Sequence, residues 1–141
     1  MLIVDDHEEF RASARALLEA EGFEVVGEAA DGTEAIEAID ALRPAIVLLD
    51  VQLPGPDGLT VAEGIAGGPD PPAVVLISSR GAAAYEPRLG QTPARGFIAG
   101  GVAGRVVVLA RSAVDLASVA AQPEGSLVDD RPRRYVTAQV P

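Results

Sequence analysis

The sequence predicts an α/β protein built on a doubly wound parallel sheet. Short, wholly apolar runs (Leu2–Val4, Ala45–Leu49 and Ala73–Ile77) have the length and composition of strands buried on both faces. Segments of helical period lie between them. The runs also end alike: Asp5-Asp6, Asp50 and Ser78 follow directly, at the carboxyl ends of strands where open α/β sheets carry their sites.

Each element has its own signal. From His7 to Glu21, Phe10, Ala14, Leu17 and Leu18 recur at helical spacing, and Gly22 is a natural stop. Phe23 to Ala29 reads as a strand centred on Val25-Val26. Asp31 with Glu34 three residues later is a capping-box pattern. It opens a helix with Ala35, Ile36, Ile39 and Leu42 on one face, ending before Pro44. The clearest buried strand delivers Asp50, and Pro54 to Gly58 forms a loop before a short helix near Leu59 to Ile65. After the fourth strand and Ser78 come a weak helix near Ala82 to Leu89, a short strand Gly96 to Ile98, and a last helix over Val106 to Ala121.

Composition narrows the function. The 141 residues suit one domain, expected over residues 1–121, with 122–141 as a poorly structured tail. A formal net charge of −10 argues against direct nucleic-acid or anionic-membrane binding. The one basic cluster, Arg131 to Arg134, follows Asp129-Asp130 and reads as a solvated tail. Absence of cysteine excludes disulfides and thiolate metal sites and makes a cytoplasmic setting the expectation. No signal peptide is visible, and no apolar run approaches the roughly 18 residues of a membrane span. All eleven basic residues are arginine.

Three carboxylates converging on one sheet edge are costly to ionise together. A hard divalent cation relieves that cost, and Mg²⁺ takes one or two carboxylates with waters and phosphate oxygens. Such an ion would hold a phosphoryl group beside Asp50, whose carboxylate is a possible covalent nucleophile, and Ser78 would donate to a phosphoryl oxygen.

The motifs go further. Leu2 to His7 (LIVDDH), Ile46 to Gly58 (IVLLDVQLPGPDG), Val75 to Ser78 (VLIS) and Ala94 to Ile98 (ARGFI) together resemble the response-regulator receiver family, in order and spacing, from residue 1 to about 98. The Asp-Asp-His start and Ser78-Ser79 look closest to receivers that precede a helix-turn-helix output domain. The resemblance implies a flavodoxin-like five-stranded sheet of order 2-1-3-4-5 and a place in a two-component phosphorelay. It makes Asp50 the phosphoacceptor, served by a sensor histidine kinase. Asp5 and Asp6 match the acidic pair that binds Mg²⁺ with Asp50, and Gln52 would lend its backbone carbonyl. Ser78 matches the switch hydroxyl, Phe97 the switch aromatic, and Pro54 and Gly58 the family's loop. No output domain is visible in these residues, so output through protein contacts or on another chain is the expectation.

One departure stands out: the family's lysine, three residues beyond the aromatic, is Gly100 here. Its loss removes a charge-assisted hydrogen bond of roughly 1.5–3 kcal/mol. That leaves a non-switching interaction module as the second reading. The sequence also breaks from the family at that point. Deleting two adenines from GCC-AAG-GCG-GAG-TTG-CCG-G yields Ala-Gly-Gly-Val-Ala-Gly, which residues 99–104 spell, so a frame change after Ala99 is a further expectation. Residues Gly100 to Gly104 lack the spacing of a dinucleotide loop. A Mg²⁺-dependent aspartyl phosphohydrolase is disfavoured because such enzymes commonly carry a second aspartate where Gln52 stands, and the chain is not expected to be an enzyme. Asp5-Asp6 as a plain helix cap, His7 as a solvated first-turn residue, Ser78 as an ordinary strand-end hydroxyl and Phe97 as plain core are the structural alternatives.

Overall fold

The computed structural model describes residues 1–99 and the pair 136–137. In chain order the elements are β1 (Leu2–Val4), α1 (Glu8–Ala20), β2 (Gly27–Ala29), α2 (Gly32–Leu42), β3 (Ile46–Asp50), α3 (Gly58–Ala66) and β4 (Ala73–Ser78). A 3-10 turn (Ala82–Tyr85), α4 (Arg88–Gln91), β5 (Gly96–Ala99) and β6 (Val136–Thr137) complete the described residues. The strands pair in the order β2-β1-β3-β4-β5-β6, all parallel. The five-stranded order 2-1-3-4-5 is therefore as expected. The two-residue β6 extends it at the edge, within the stretch expected as a tail. The expected helix over 106–121 and Gly100 lie outside the described residues.

Alternation along each strand divides the core in two. Leu2, Val4, Val47, Leu49, Val74, Leu76 and Phe97 face one layer, with Ala35 and Ile39 of α2 and Leu59, Val61 and Ala62 of α3. Ile3, Ile46, Leu48, Val75, Ile77 and Ile98 face the other, with Ala14 and Leu18 of α1. Every residue of β3 and β4 is buried, which explains their unbroken apolar sequence.

Three expectations need correction. The strand around Val25-Val26 is confined to Gly27–Ala29, because its partner among the described residues, β1, is three residues long and pairs from Leu2↔Gly27. Val26 donates its N–H to Met1 O and stays 38% exposed. On α2, Ala35 and Ile39 are buried, but Ile36 and Leu42 are 44% and 45% exposed, so the buried stripe is narrower than the apolar one. The single helix expected near Ala82 to Leu89 is instead a 3-10 turn and one turn of α-helix, divided at Glu86-Pro87, where proline has no N–H to continue the ladder. The N-cap half of the capping box is present, with Asp31 accepting Glu34 N–H at 2.8 Å, while Glu34 reaches back one residue further, to Ala30 N–H at 2.8 Å.

Candidate functional site

The sheet brings the three carboxylates together. Asp5 follows β1 and Asp50 ends β3; both are buried, at 5% and 7% exposure, while Asp6 is exposed. Ligand atoms of Asp5, Asp6, His7 and Asp50 all lie within 4.8 Å of one another. Each acidic group is held from its own chain. Asp5 Oδ1 accepts His7 N–H at 2.8 Å, and Asp5 O accepts Arg11 Nη1 at 2.7 Å. Asp50 Oδ1 accepts Gln52 N–H at 3.0 Å. His7, not Asp5 or Asp6, is the N-cap residue of α1, so the acidic pair is not a plain helix cap. The His7 ring is 75% exposed, with Nδ1 3.1 Å from Asp5 and 3.0 Å from Asp6. Its hydrogen bond to Asp5 and the charge of Asp6 raise its pKa.

Burial pushes Asp50 up to about 7, aided by the charges of Asp5 and Asp6 and opposed by the Gln52 N–H. A set of carboxylate oxygens that resists full ionisation fits a hard divalent cation such as Mg²⁺.

The loop after β3 is fixed by close backbone packing. A Cβ on Gly58 would lie 2.2 Å from Asp50 O, and one on Gly32 would lie 2.4 Å from Pro56 O. Gly58 N–H also bonds Val51 O at 2.9 Å. Next to it, Asp57 caps α3 by accepting Thr60 N–H at 2.8 Å. Arg88 of α4 reaches both Asp57 carboxylate oxygens, at 2.9 and 3.3 Å, and Thr60 Oγ1 at 3.2 Å. That clamp was not foreseen, since a one-turn helix has no periodicity to reveal it.

Ser78 lies at the end of β4, 3% exposed, one strand from Asp50. Its Oγ accepts Arg80 N–H at 3.0 Å and is hydrogen-bonded to Tyr85 Oη at 2.5 Å. Phe97 is fully buried, with the Tyr85 ring edge-on at a 6.0 Å centroid distance and 61° between planes. Tyr85 was missed in the sequence; the available signal was a lone aromatic after three alanines, seven residues beyond Ser78. Gln52, exposed, accepts from Ser79 Oγ at 3.3 Å.

A parallel sheet with an acidic cluster at its carboxyl edge and a hydroxyl on the next strand defines a class of α/β signalling modules. The model of the response regulator receiver domain matches residues 1–107, and the chain belongs to that family. The signal receiver domain of the response regulator NarL from Mycobacterium tuberculosis superposes with a TM-score of 0.73 at 34% identity, over 83% of this chain and 94% of that one. A chain of the CheX-CheY-BeF3-Mg²⁺ complex from Borrelia burgdorferi gives 0.73 at 28% identity, over 80% of this chain and 87% of that one. Among curated proteins, the transcriptional regulatory protein PdtaR of M. tuberculosis is 41% identical over 78 residues, 55% of this chain and 38% of that protein. A protein-glutamate methylesterase/protein-glutamine glutaminase of Myxococcus xanthus is 44% identical over 82 residues, 57% of this chain and 24% of that protein. The chain thus spans about a quarter to a half of the curated relatives it matches. Among the described residues, no helix is long and apolar enough to cross a membrane.

Proposed function

We propose that the chain is a phosphoacceptor of a two-component relay, working in the cytoplasm and phosphorylated on Asp50 by a sensor histidine kinase. The observation that carries this is the buried Asp50 carboxylate, within 4.8 Å of Asp5 and Asp6 ligand atoms at the sheet's carboxyl edge. Gln52 N–H holds Asp50 Oδ1 and leaves the second oxygen to attack phosphorus. The new P–O bond forms as the P–N bond of a phosphohistidine breaks, its electron pair returning to the imidazole. Asp5, Asp6, Asp50 and the Gln52 carbonyl would hold Mg²⁺, which supplies neutralising charge for the carboxylates and phosphoryl oxygens. Ser78 then turns its hydroxyl to a phosphoryl oxygen, and Phe97 conveys the change to a protein output partner. Neither nucleic acid nor membrane is a partner of this domain, in keeping with a net charge of −10.

Labelling with acetyl phosphate and Mg²⁺ tests the reading: an acid-labile phosphoryl group appears on the parent chain and not on Asp50→Asn. Persistent label in that variant overturns it. Gly100 favours a second reading, a receiver-fold interaction module that no longer switches. Gly100→Lys should then strengthen the response to phosphorylation; an unchanged response removes that reading.

A further inference from the structure

The hydroxyl that would greet a phosphoryl group is already engaged. Ser78 Oγ is bonded to Tyr85 Oη at 2.5 Å and to Arg80 N–H at 3.0 Å. A hydroxyl has one proton and two lone pairs. With Arg80 N–H on one lone pair, Ser78 is held in the direction that matters when its single proton goes to Tyr85 Oη, and both partners lie on the β4-to-α4 connection rather than on Asp50. Tyr85 closes the 3-10 turn, and its ring stands edge-on to Phe97 at 6.0 Å. One side chain therefore touches both the switch hydroxyl and the switch aromatic.

We infer that Tyr85 is a positioning residue, a latch that holds Ser78 away from Asp50 until a phosphoryl group takes its place. The inference rests on Asp50 being the phosphoacceptor. A bond from Ser78 to an ionised phosphoryl oxygen is about twice as strong as one to a neutral phenol. Phosphorylation therefore displaces Tyr85, and the freed ring alters its packing on Phe97. The latch sets a threshold: breaking one neutral hydrogen bond opposes every phosphorylation event.

Beryllofluoride with Mg²⁺ serves as the probe, with affinity measured by titration calorimetry. Tyr85→Phe deletes the hydroxyl and keeps the ring, so it should bind the probe about 2- to 10-fold more tightly, the worth of one neutral hydrogen bond. Tyr135 is the only other tyrosine, so Tyr135→Phe leaves Tyr85 as the sole phenol in an NMR spectrum. In that background the Tyr85 ring-carbon resonance should shift when the probe binds, and not when Asp50→Asn is added. Ser78→Ala should produce the released position without probe, which tests the latch even if Tyr85→Phe folds poorly. Equal or weaker binding by Tyr85→Phe, or an immobile Tyr85 resonance while the parent binds, overturns the latch alone. If the parent binds no beryllofluoride, the phosphoacceptor reading falls, and the latch with it.

Discussion

Asp50 and Asp57 sit seven positions apart, at the two ends of one loop, and their carboxyl groups are driven in opposite directions. Burial and two acidic neighbours push Asp50 up to about 7. The Arg88 guanidinium holds Asp57 down at about 2. The contrast separates a site from a scaffold. At Asp57 the protein supplies the cation and the Thr60 N–H, so the charge is settled. At Asp50 it supplies more negative charge and one backbone N–H, leaving neutralisation to a ligand.

The most damaging way to break this contrast is to move the two ends of the loop apart. Gly58→Ala places a methyl group 2.2 Å from the Asp50 carbonyl oxygen, a backbone atom that has nowhere to go. We expect a loss of about 3 kcal/mol in urea unfolding. Asp50→Asn acts the other way. A carboxyl raised above its ordinary 3.8 to about 7 lends stability that is complete below about pH 4 and lost as pH rises through 7. With a chelator present, Asp50→Asn should therefore exceed the parent by about 2 kcal/mol at pH 8 and by nothing at pH 4. Millimolar Mg²⁺ should recover about 1 kcal/mol of that gap for the parent and none for the variant; equal gains would place the ion elsewhere. The smallest effect belongs to the exposed clamp. A depressed Asp57 lends stability above its ordinary 3.8 that is lost as pH falls through 2. Arg88→Met should move the Asp57 titration, followed by carboxyl NMR, from about 2 back towards 3.8.

Much of this was legible in the sequence. Strands buried on both faces announce themselves because every position must be apolar, which is why β3, β4 and the residues that follow them were placed correctly. Asp5, Asp6, Asp50 and Ser78 were read from strand ends, whereas Phe97 came only from the family resemblance. Features that depend on partners distant in sequence were not legible. The length of β2 is set by β1, the exposure of Ile36 by what α2 leaves uncovered, and the Tyr85 and Arg88 contacts by the path of a connection broken at Pro87. Residues 100–135 lie outside the described residues, so the frame change proposed after Ala99 rests on sequence. The coding DNA checks it: codons 100 to 103 should end in C, A, T and C, and other bases there exclude that origin.

The two glycine contacts also govern where the chain can be lengthened. Residues 54–57 look like a permissive surface loop, exposed or half-buried and rich in proline. Yet Pro56 O fills the place of a Gly32 side chain, and Asp50 O fills that of Gly58, so the segment is gripped by backbone at both ends. The loop beyond α3 has no such grip: a Cβ on Gly67 or Gly68 would meet nothing closer than 3.5 Å. A peptide tag or reporter inserted there should leave the acidic pocket intact, whereas the same insert beside Pro56 would dislodge it. For anyone fusing a sensor to this domain, the graft point lies beyond α3, on the side of the sheet away from the chemistry.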